Sequence, residues 1–354
     1  MPILVVNAQT KGAGVGGDDD GASSTQDEEG NVRGAAYHPR LLAVVGDGGR
    51  SSLVQACVDL DGDGDDESRE EGETARPRLR NGFTQIFVGK GARLSHTYME
   101  EQGGIVTPGV EAAYTPPFPG YVDARDAEAR RPSARDTFME TVDAYVTGDD
   151  GTYSVAVMGM GGSGRSRIAV SVSLLRPGSH ADVNGFVLAG GNQRTDMRTN
   201  IHHVAQGTTS RQAQRNMVGG RATSAFRGRI RVEQSAQQTD SQQLSRTILL
   251  SDRSRIWTVP SLEIIADDVK CQHGATVSDL SEEELFYLRS RGLDRETSRN
   301  MLMYAFVDEV SAAVTPAVKG NDDHANGLRN RCIRRLQNLV PKGERAIRGE
   351  FQSS

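Results

Sequence analysis

Apolar and polar residues alternate with a period of two through most of the middle of the chain. YSVAVM, RIAVSVSLL, ADVNGFVLA, ATSAFRGRIRV, SRTILL, IWTVPSLEI and VKCQHGATV follow one another between residues 151 and 280, separated by turn residues, and no amphipathic helix intervenes. Upstream, HPRLLAVVGDGGRSSLVQACVDL (38–60) and NGFTQIFVGKGARLSHTYMEE (81–101) are apolar or β-branched runs broken by Gly and Asp. That pattern predicts strand, turn and strand again. The body is therefore mainly β, and alternation alone fits a sandwich, a barrel or a parallel β-helix equally well.

After residue 280 the period becomes helical. SEEELFYLRSRG opens with a capping box, Ser281 with Glu284, and closes on Gly292. A second helix is predicted over 295–314, with Met301, Leu302, Ala305, Phe306 and Val310 on its buried side and Pro316 beyond its end. A third, over 325–340, lines up Leu328, Cys332, Leu336 and Leu339 and stops before Pro341. The chain thus divides into a β core, residues 1–280, and a small helical domain, residues 281–354. Within the core, the acidic stretches near 11–36 and 61–80 and the Pro- and Arg-rich stretch 103–135 cannot bury enough apolar area to offset ordering entropy. They read as disordered insertions in loops.

Composition narrows the function. No apolar run approaches the ~20 residues that cross a bilayer, and MPILVVNAQT lacks the basic head and cleavage site of a secretory signal. Cys57, Cys271 and Cys332 are too few and too scattered for a disulfide framework, which points to a reducing compartment. A net charge of −6 and a pI near 5.7 speak against nucleic-acid binding. One region is nonetheless Arg-rich: residues 201–260 hold nine Arg, no Lys and three acids.

Several motifs invite chemistry. GMGGSG (159–164) spells the dinucleotide-binding fingerprint, but RSRIAVSVSLL after it alternates like a strand, and a pyrophosphate needs a helix N-terminus there. DLDGDGDDESRE (59–70) fits a calcium loop at Asp59, Asp61, Asp63, Gly64 and Glu70, yet it carries Asp66 where an apolar residue belongs and has no flanking helices. His202 and His203 face opposite ways on a strand and cannot share a metal as neighbours. Cys57 and Cys332 read as small core residues. Cys271 and His273, two apart in DDVKCQHGATV, point to the same side, together with Val269, Ala275 and Val277, unless Gly274 breaks the register. A thiolate and an imidazole are good ligands for iron or an iron–sulfur cluster, which needs about four such donors. Two come from here, so a second subunit would complete the set.

LEIIADDVKCQHGATVSDLSEEELFYLRSRG (262–292) resembles the signature of the SufB/SufD family of iron–sulfur cluster assembly proteins. HPRLLAVVGDG, NGFTQIFVGKGARLSH, TVPSLEI and the long stretch SRQAQRNMVGGRATSAFRGRIRVEQSAQQTDSQQLSRTILLSD extend the likeness over nearly the whole chain outside the insertions. DRSRIWTVPSLE carries Ser254 where SufB proteins have a cysteine, and CQHGAT carries Gly274; both resemble the SufD branch. Arg215-Asn216 stands where the family has Lys-Gly.

The resemblance implies a right-handed parallel β-helix followed by a helical domain, and a non-catalytic scaffold of the SUF machinery that pairs with a SufB-like paralogue. A homodimer is the alternative pairing. It also implies that the SufC ATPase docks on the helices through Leu285, Phe286, Leu288, Met301, Leu302 and Phe306. His273 first and Cys271 second would contact iron or a nascent cluster at the subunit interface, with no tightly bound cofactor and with ATP held by the partner. SufD proteins carry a helical region ahead of the β-helix, so the chain is expected to be an incomplete form. Its acidic and Ala/Arg-rich insertions suggest a eukaryote, hence the plastid stroma, and otherwise the cytoplasm. The competing readings are a carbohydrate-active enzyme on a β-helix, a SufB-like cluster scaffold, and an Arg-rich binding module.

Overall fold

The computed structural model of the chain describes residues 2–9, 23–26, 32–59, 78–101, 137–160 and 164–311. In chain order the first strands are β1 (Pro2–Gln9), β2 (Ser23–Gln26), β3 (Val32–Tyr37), β4 (Arg40–Val45), β5 (Arg50–Asp59) and β6 (Arg78–Val88). Next come β7 (Arg93–Glu101), β8 (Thr137–Val146), β9 (Thr152–Gly159), β10 (Arg165–Leu174), β11 (His180–Ala189) and β12 (Arg194–His203). The β body closes with β13 (Thr209–Val218), β14 (Thr223–Val232), β15 (Thr239–Leu249), β16 (Arg255–Ile264) and β17 (Val269–Ser278). Helices α1 (Glu282–Ser290) and α2 (Arg295–Ser311) follow.

From β5 onward successive strands alternate between two sheets. The first has the order β1-β5-β7-β9-β11-β13-β15-β17; the second runs β16-β14-β12-β10-β8-β6-β3-β2, with β4 also on β6. Every pairing is parallel except β2 with β3. Arg165 pairs with Arg194 and Arg194 with Thr223, so one coil takes 29 residues. This is a parallel β-solenoid, the β-helix of the three architectures that alternation allowed. Strands β2 and β3 fall within the stretch near 11–36. The stretch 103–135, the acidic run 61–77, the helix expected at 325–340 and Cys332 lie outside the described residues.

Alternation explains the packing. In β8, Phe138, Glu140, Val142, Ala144 and Val146 are buried and their neighbours are not. Like residues from successive coils stack in the lumen, and each fully buried Val, Ile or Phe contributes roughly 1.5–3 kcal/mol. Corners demand glycine: Gly191 and Gly220 hold φ of +58° and +64°, and a Cβ on Gly220 would meet the Gly191 nitrogen at 2.8 Å. β10 begins at Arg165 directly after the GMGGSG stretch, so no helix N-terminus stands behind those glycines.

A second core lies outside the lumen. Met99, Met158, Met160, Phe186, Leu188, Met217 and Ile248 cover the outer face of the first sheet and pack with Leu280, Leu285 and Met303. The helical tail therefore docks on the solenoid wall, which is why β9 and β11 end in unbroken buried runs. α1 starts as the capping box predicts: Ser281 Oγ accepts from the Glu284 amide at 3.3 Å. Burial on α2 differs from expectation. Met301 and Ala305 are exposed, whereas Met303 is buried and Leu302 and Phe306 are half-buried. A flat sheet meets a narrow stripe of a helix, and Met303 is the α2 residue that enters this core fully buried, with Leu302 and Phe306 packed against it.

One ionic node sits inside the lumen. Glu140 lies 3.6 Å from Arg80 Nη2 and accepts hydrogen bonds from Gln55, Thr84 and the Tyr98 hydroxyl at 3.2 to 3.3 Å. Gly82 faces this carboxylate, where a Cβ would collide with it. Burial pushes the Glu140 carboxyl up, against the pull of Arg80. The node ties β5, β6, β7 and β8 across the lumen. His203 is also buried: Thr208 Oγ1 lies 2.8 Å from its Nδ1 and Ser210 Oγ 2.9 Å from its Nε2. His202, as expected, faces outward, near Glu233.

Replacing Glu140 by Ala leaves a buried guanidinium unpaired and is expected to cost about 3–5 kcal/mol in denaturant unfolding, of which the double variant Arg80→Met/Glu140→Leu recovers a part. Burial, and secondarily His202, lowers the His203 pKa to about 4. The unfolded chain, titrating near 6.5, binds the proton first, so this contribution is complete above pH ~6.5 and is lost as pH falls toward ~4. His203→Gln should flatten the decline of the unfolding midpoint across that window; an unchanged slope would refute the assignment.

Candidate functional site

VKCQHGATVS forms a strand because Val269, Thr276 and Val277 suit a pleated surface and its register with β15 is continuous from Thr239–Val269 to Ile248–Ser278. Gly274 does not interrupt it. Cys271 lies beside Ser241 and His273 beside Gln243. One coil further back, Ser241 pairs with Ser210 and Gln243 with Gln212. Cys271 and His273 thus end two inward-facing columns that are polar for the preceding coils.

Hydrogen bonds join these columns. Ser210 and Ser241 hydroxyls are 2.7 Å apart, Gln243 Nε2 donates to Gln212 Oε1 at 2.6 Å, and Asn216 donates to Thr247 at 3.0 Å. Gln212 in turn bonds Thr199 on the opposite sheet. In the earlier coils the first column holds Leu94, Tyr153 and Ala181 and the second His96, Val155 and Val183, with His96 buried and 2.9 Å from the Tyr153 hydroxyl. On the first sheet the lumen face is polar from Ser210 to Asn216 on β13 and from Thr239 to Thr247 on β15, next to the C-terminal end.

That end is open. β16 and β17 are the last strands of their sheets, and among the described residues neither has a partner on its outer edge. Cys271 is half-buried and packs against the lumen core, while His273 is exposed although it shares the inward direction. No coil covers it. Around the rim Trp257, Val259, Ile264, Ile265 and Val277 are all more than two-fifths exposed, Trp257 by 55%. Burial is the first cause that raises the Cys271 thiol pKa, the Asp240 carboxylate is the second, and a backbone hydrogen bond at Ser241 opposes both. The thiol therefore gives up its proton less readily than an ordinary cysteine.

The helical residues sit apart from this rim. Leu285 is buried in the second core, Phe286 is 71% exposed, and Leu288, Leu302 and Phe306 are half-buried. Between α1 and α2 an open groove of about 400 Å³ is lined by Glu283, Glu284, Tyr287, Leu288 and Leu302. Among the described residues no group of three or more His, Cys, Asp or Glu converges as a metal site. Cys57 is buried in the lumen.

Sequence reasoning missed the polar ladder and the acid Asp240 behind Cys271. A signal was present: SRQAQRN (210–216) and SQQLSRT (241–247) repeat Ser, Gln and Arg at a fixed spacing, and CQH continues the same rung. In a solenoid such an echo means stacking.

The family model for the SUF system FeS cluster assembly SufBD core domain matches residues 25–306. The iron–sulfur cluster assembly protein SufD of Escherichia coli K12 is 34% identical over 163 residues, 46% of this chain and 36% of that protein. The chloroplastic protein ABCI7 of Arabidopsis thaliana is 30% identical over 274 residues, 77% of this chain and 48% of that protein. A SufBD family protein of Synechocystis is 27% identical over 272 residues, covering 77% and 52%. The chain spans about half the length, or less, of these relatives. A β-solenoid whose matched region runs from its first coils to α2 belongs to the SufB/SufD family of iron–sulfur cluster assembly proteins.

Proposed function

We propose that the protein is a non-catalytic, SufD-like scaffold subunit, that its open rim pairs with a SufB-like paralogue, and that His273 and then Cys271 contact the iron or cluster assembled there. One observation carries this reading: the thiol and the imidazole stand together at the C-terminal end of the solenoid, where β16 and β17 stop with unpaired outer edges among the described residues. An unpaired edge is a template for another strand, and the exposed Trp257 and Val259 beside it suit a partner. Two donors cannot complete a cluster's coordination, so the partner supplies the rest. His273 takes precedence because its side chain is exposed at the rim, whereas Cys271 is half-buried and its raised pKa opposes the loss of the proton that a thiolate ligand requires.

The ATPase partner SufC would dock on the helices through Phe286, Leu288, Met301, Leu302 and the groove beside Tyr287, while Leu285 holds α1 to the solenoid wall. Iron or a nascent cluster is cargo, and ATP stays with the partner. The chloroplastic relative supports a plastid location. Among the described residues no helix is long and apolar enough to cross a membrane.

Reconstitution with SufB and SufC tests the site: His273→Ala should slow cluster formation at least severalfold with the complex still assembled on gel filtration. A normal rate defeats the assignment. Phe286→Asp should abolish capture of SufC and spare pairing with SufB; capture at the wild-type level would exclude the helices as the contact. In the isolated chain, Asp240→Asn should move the pH midpoint of Cys271 alkylation downward, read by mass spectrometry of the Cys271 peptide, and no movement would remove Asp240 as a cause of the raised pKa.

A further inference from the structure

The outer face of the second sheet carries an unbalanced charge. On β10, β12, β14 and β16, and at Glu233 just past β14, eight arginines point away from the lumen with three carboxylates. Asp196 takes three of the guanidinium groups: Arg167 Nε at 3.0 Å, Arg198 Nη2 at 2.8 Å and Arg227 Nη1 at 3.5 Å. Arg229 pairs with Glu263 and Arg231 with Glu233. Arg165, Arg194 and Arg255 are exposed and have no ion-pair partner among the described residues. They are not scattered. Leu79, Thr137, Arg165, Arg194, Thr223 and Arg255 are register partners across six neighbouring strands, so these arginines share one row at the strands' N-terminal ends.

The chain carries the complementary charge. Residues 61–73, DGDGDDESREEGE, hold eight Asp or Glu and one Arg. The run leads into β6 at Arg78, the position next to Leu79 in that row. Eighteen residues separate Asp59 from Arg78, a reach of at most about 60 Å, whereas the row from β6 to β16 spans five strand spacings, about 24 Å. Arginine forks suit carboxylates, as Asp196 already shows on this face. Each exposed pair is weak by itself, so occupancy depends on several pairs together and on the tether, which holds the run at an effective concentration in the millimolar range.

We infer that the arginine row Arg165, Arg194 and Arg255 is an anion-binding surface occupied by the acidic run 61–73 of the same chain. This contact covers the outer wall and stands independently of the role proposed for the rim.

The test uses the full chain, wild type and a variant with the eight acids of 61–73 changed to Asn or Gln, together with a labelled synthetic peptide of residues 60–74. The neutralised variant should bind the peptide at least tenfold more tightly than wild type, whose own run competes. Binding should weaken roughly tenfold between low and moderate salt, and Arg165→Ser/Arg194→Ser/Arg255→Ser in the neutralised background should remove it. Equal binding to both chains, no binding to either, or binding indifferent to the arginine changes overturns the inference. So does a wild-type dimer in sedimentation that dissociates when the run is neutralised, since the occupant would then be a second copy.

Discussion

Each coil of this protein is completed by the next. The backbone groups of a strand are satisfied by the strands stacked on either side of it, and the lumen side chains are covered by the residues one coil away. Such a fold is stable along its length and vulnerable at its ends, because the last rung has nothing to complete it. β16 and β17 occupy that position, so a half-covered lumen, two unpaired edges and a row of exposed apolar residues arise from the same stop. The site residues owe their character to this. Cys271 and His273 sit in columns that in earlier coils are sealed, and only termination makes an inward-facing histidine solvent-exposed.

The change of lumen chemistry on the first sheet follows the same direction. Valines and aromatics fill the middle coils, where contact on all sides makes dispersion and apolar burial effective. Toward the rim, Ser210, Ser241, Gln212 and Gln243 replace them, each hydrogen-bonded to its neighbour in the stack. A ladder of short polar side chains keeps register at a place where one face of the stack is open and hydrophobic burial is incomplete. The Glu140 node does similar work at the other end, tying four strands by directional bonds that an apolar contact could not specify.

Alternation made most of the β body legible. The runs named from residue 151 to 280 all fall on strands, and in β10, β14 and β15 the buried parity is the one the pattern shows, whereas β8, β12 and β13 went unnamed; the capping box at Ser281 marked the start of α1 correctly. Glu140 was visible as an acid in the apolar parity of TFMETVDAYV, although its four partners come from three other strands and no local pattern names them. The choice of a solenoid over a sandwich came from resemblance, since both bury alternate residues. What stayed hidden depends on distant contacts. The outer core of Met99, Met158 and Met217 exists because the tail returns to the wall, and the orientation of α2, with Met303 inward and Met301 outward, is set by that wall. The exposure of His273 could not be read from its own strand, because it depends on β16 and β17 being the last strands of their sheets among the described residues.

The solenoid also separates its surfaces. The tail covers the outer face of the first sheet, the arginines occupy the outer face of the second, and the rim lies at the end of both. A flat-walled stack can therefore carry contacts that do not compete for the same residues, and a change in one propagates only through the register of the coils. The rim is the place where such propagation has a chemical consequence. A shift of one strand relative to its neighbour by a single residue would turn Cys271 and His273 outward together, because side chains alternate with period two. The continuous ten-residue register of β17 on β15 opposes that slip, and the two donors consequently keep a common direction.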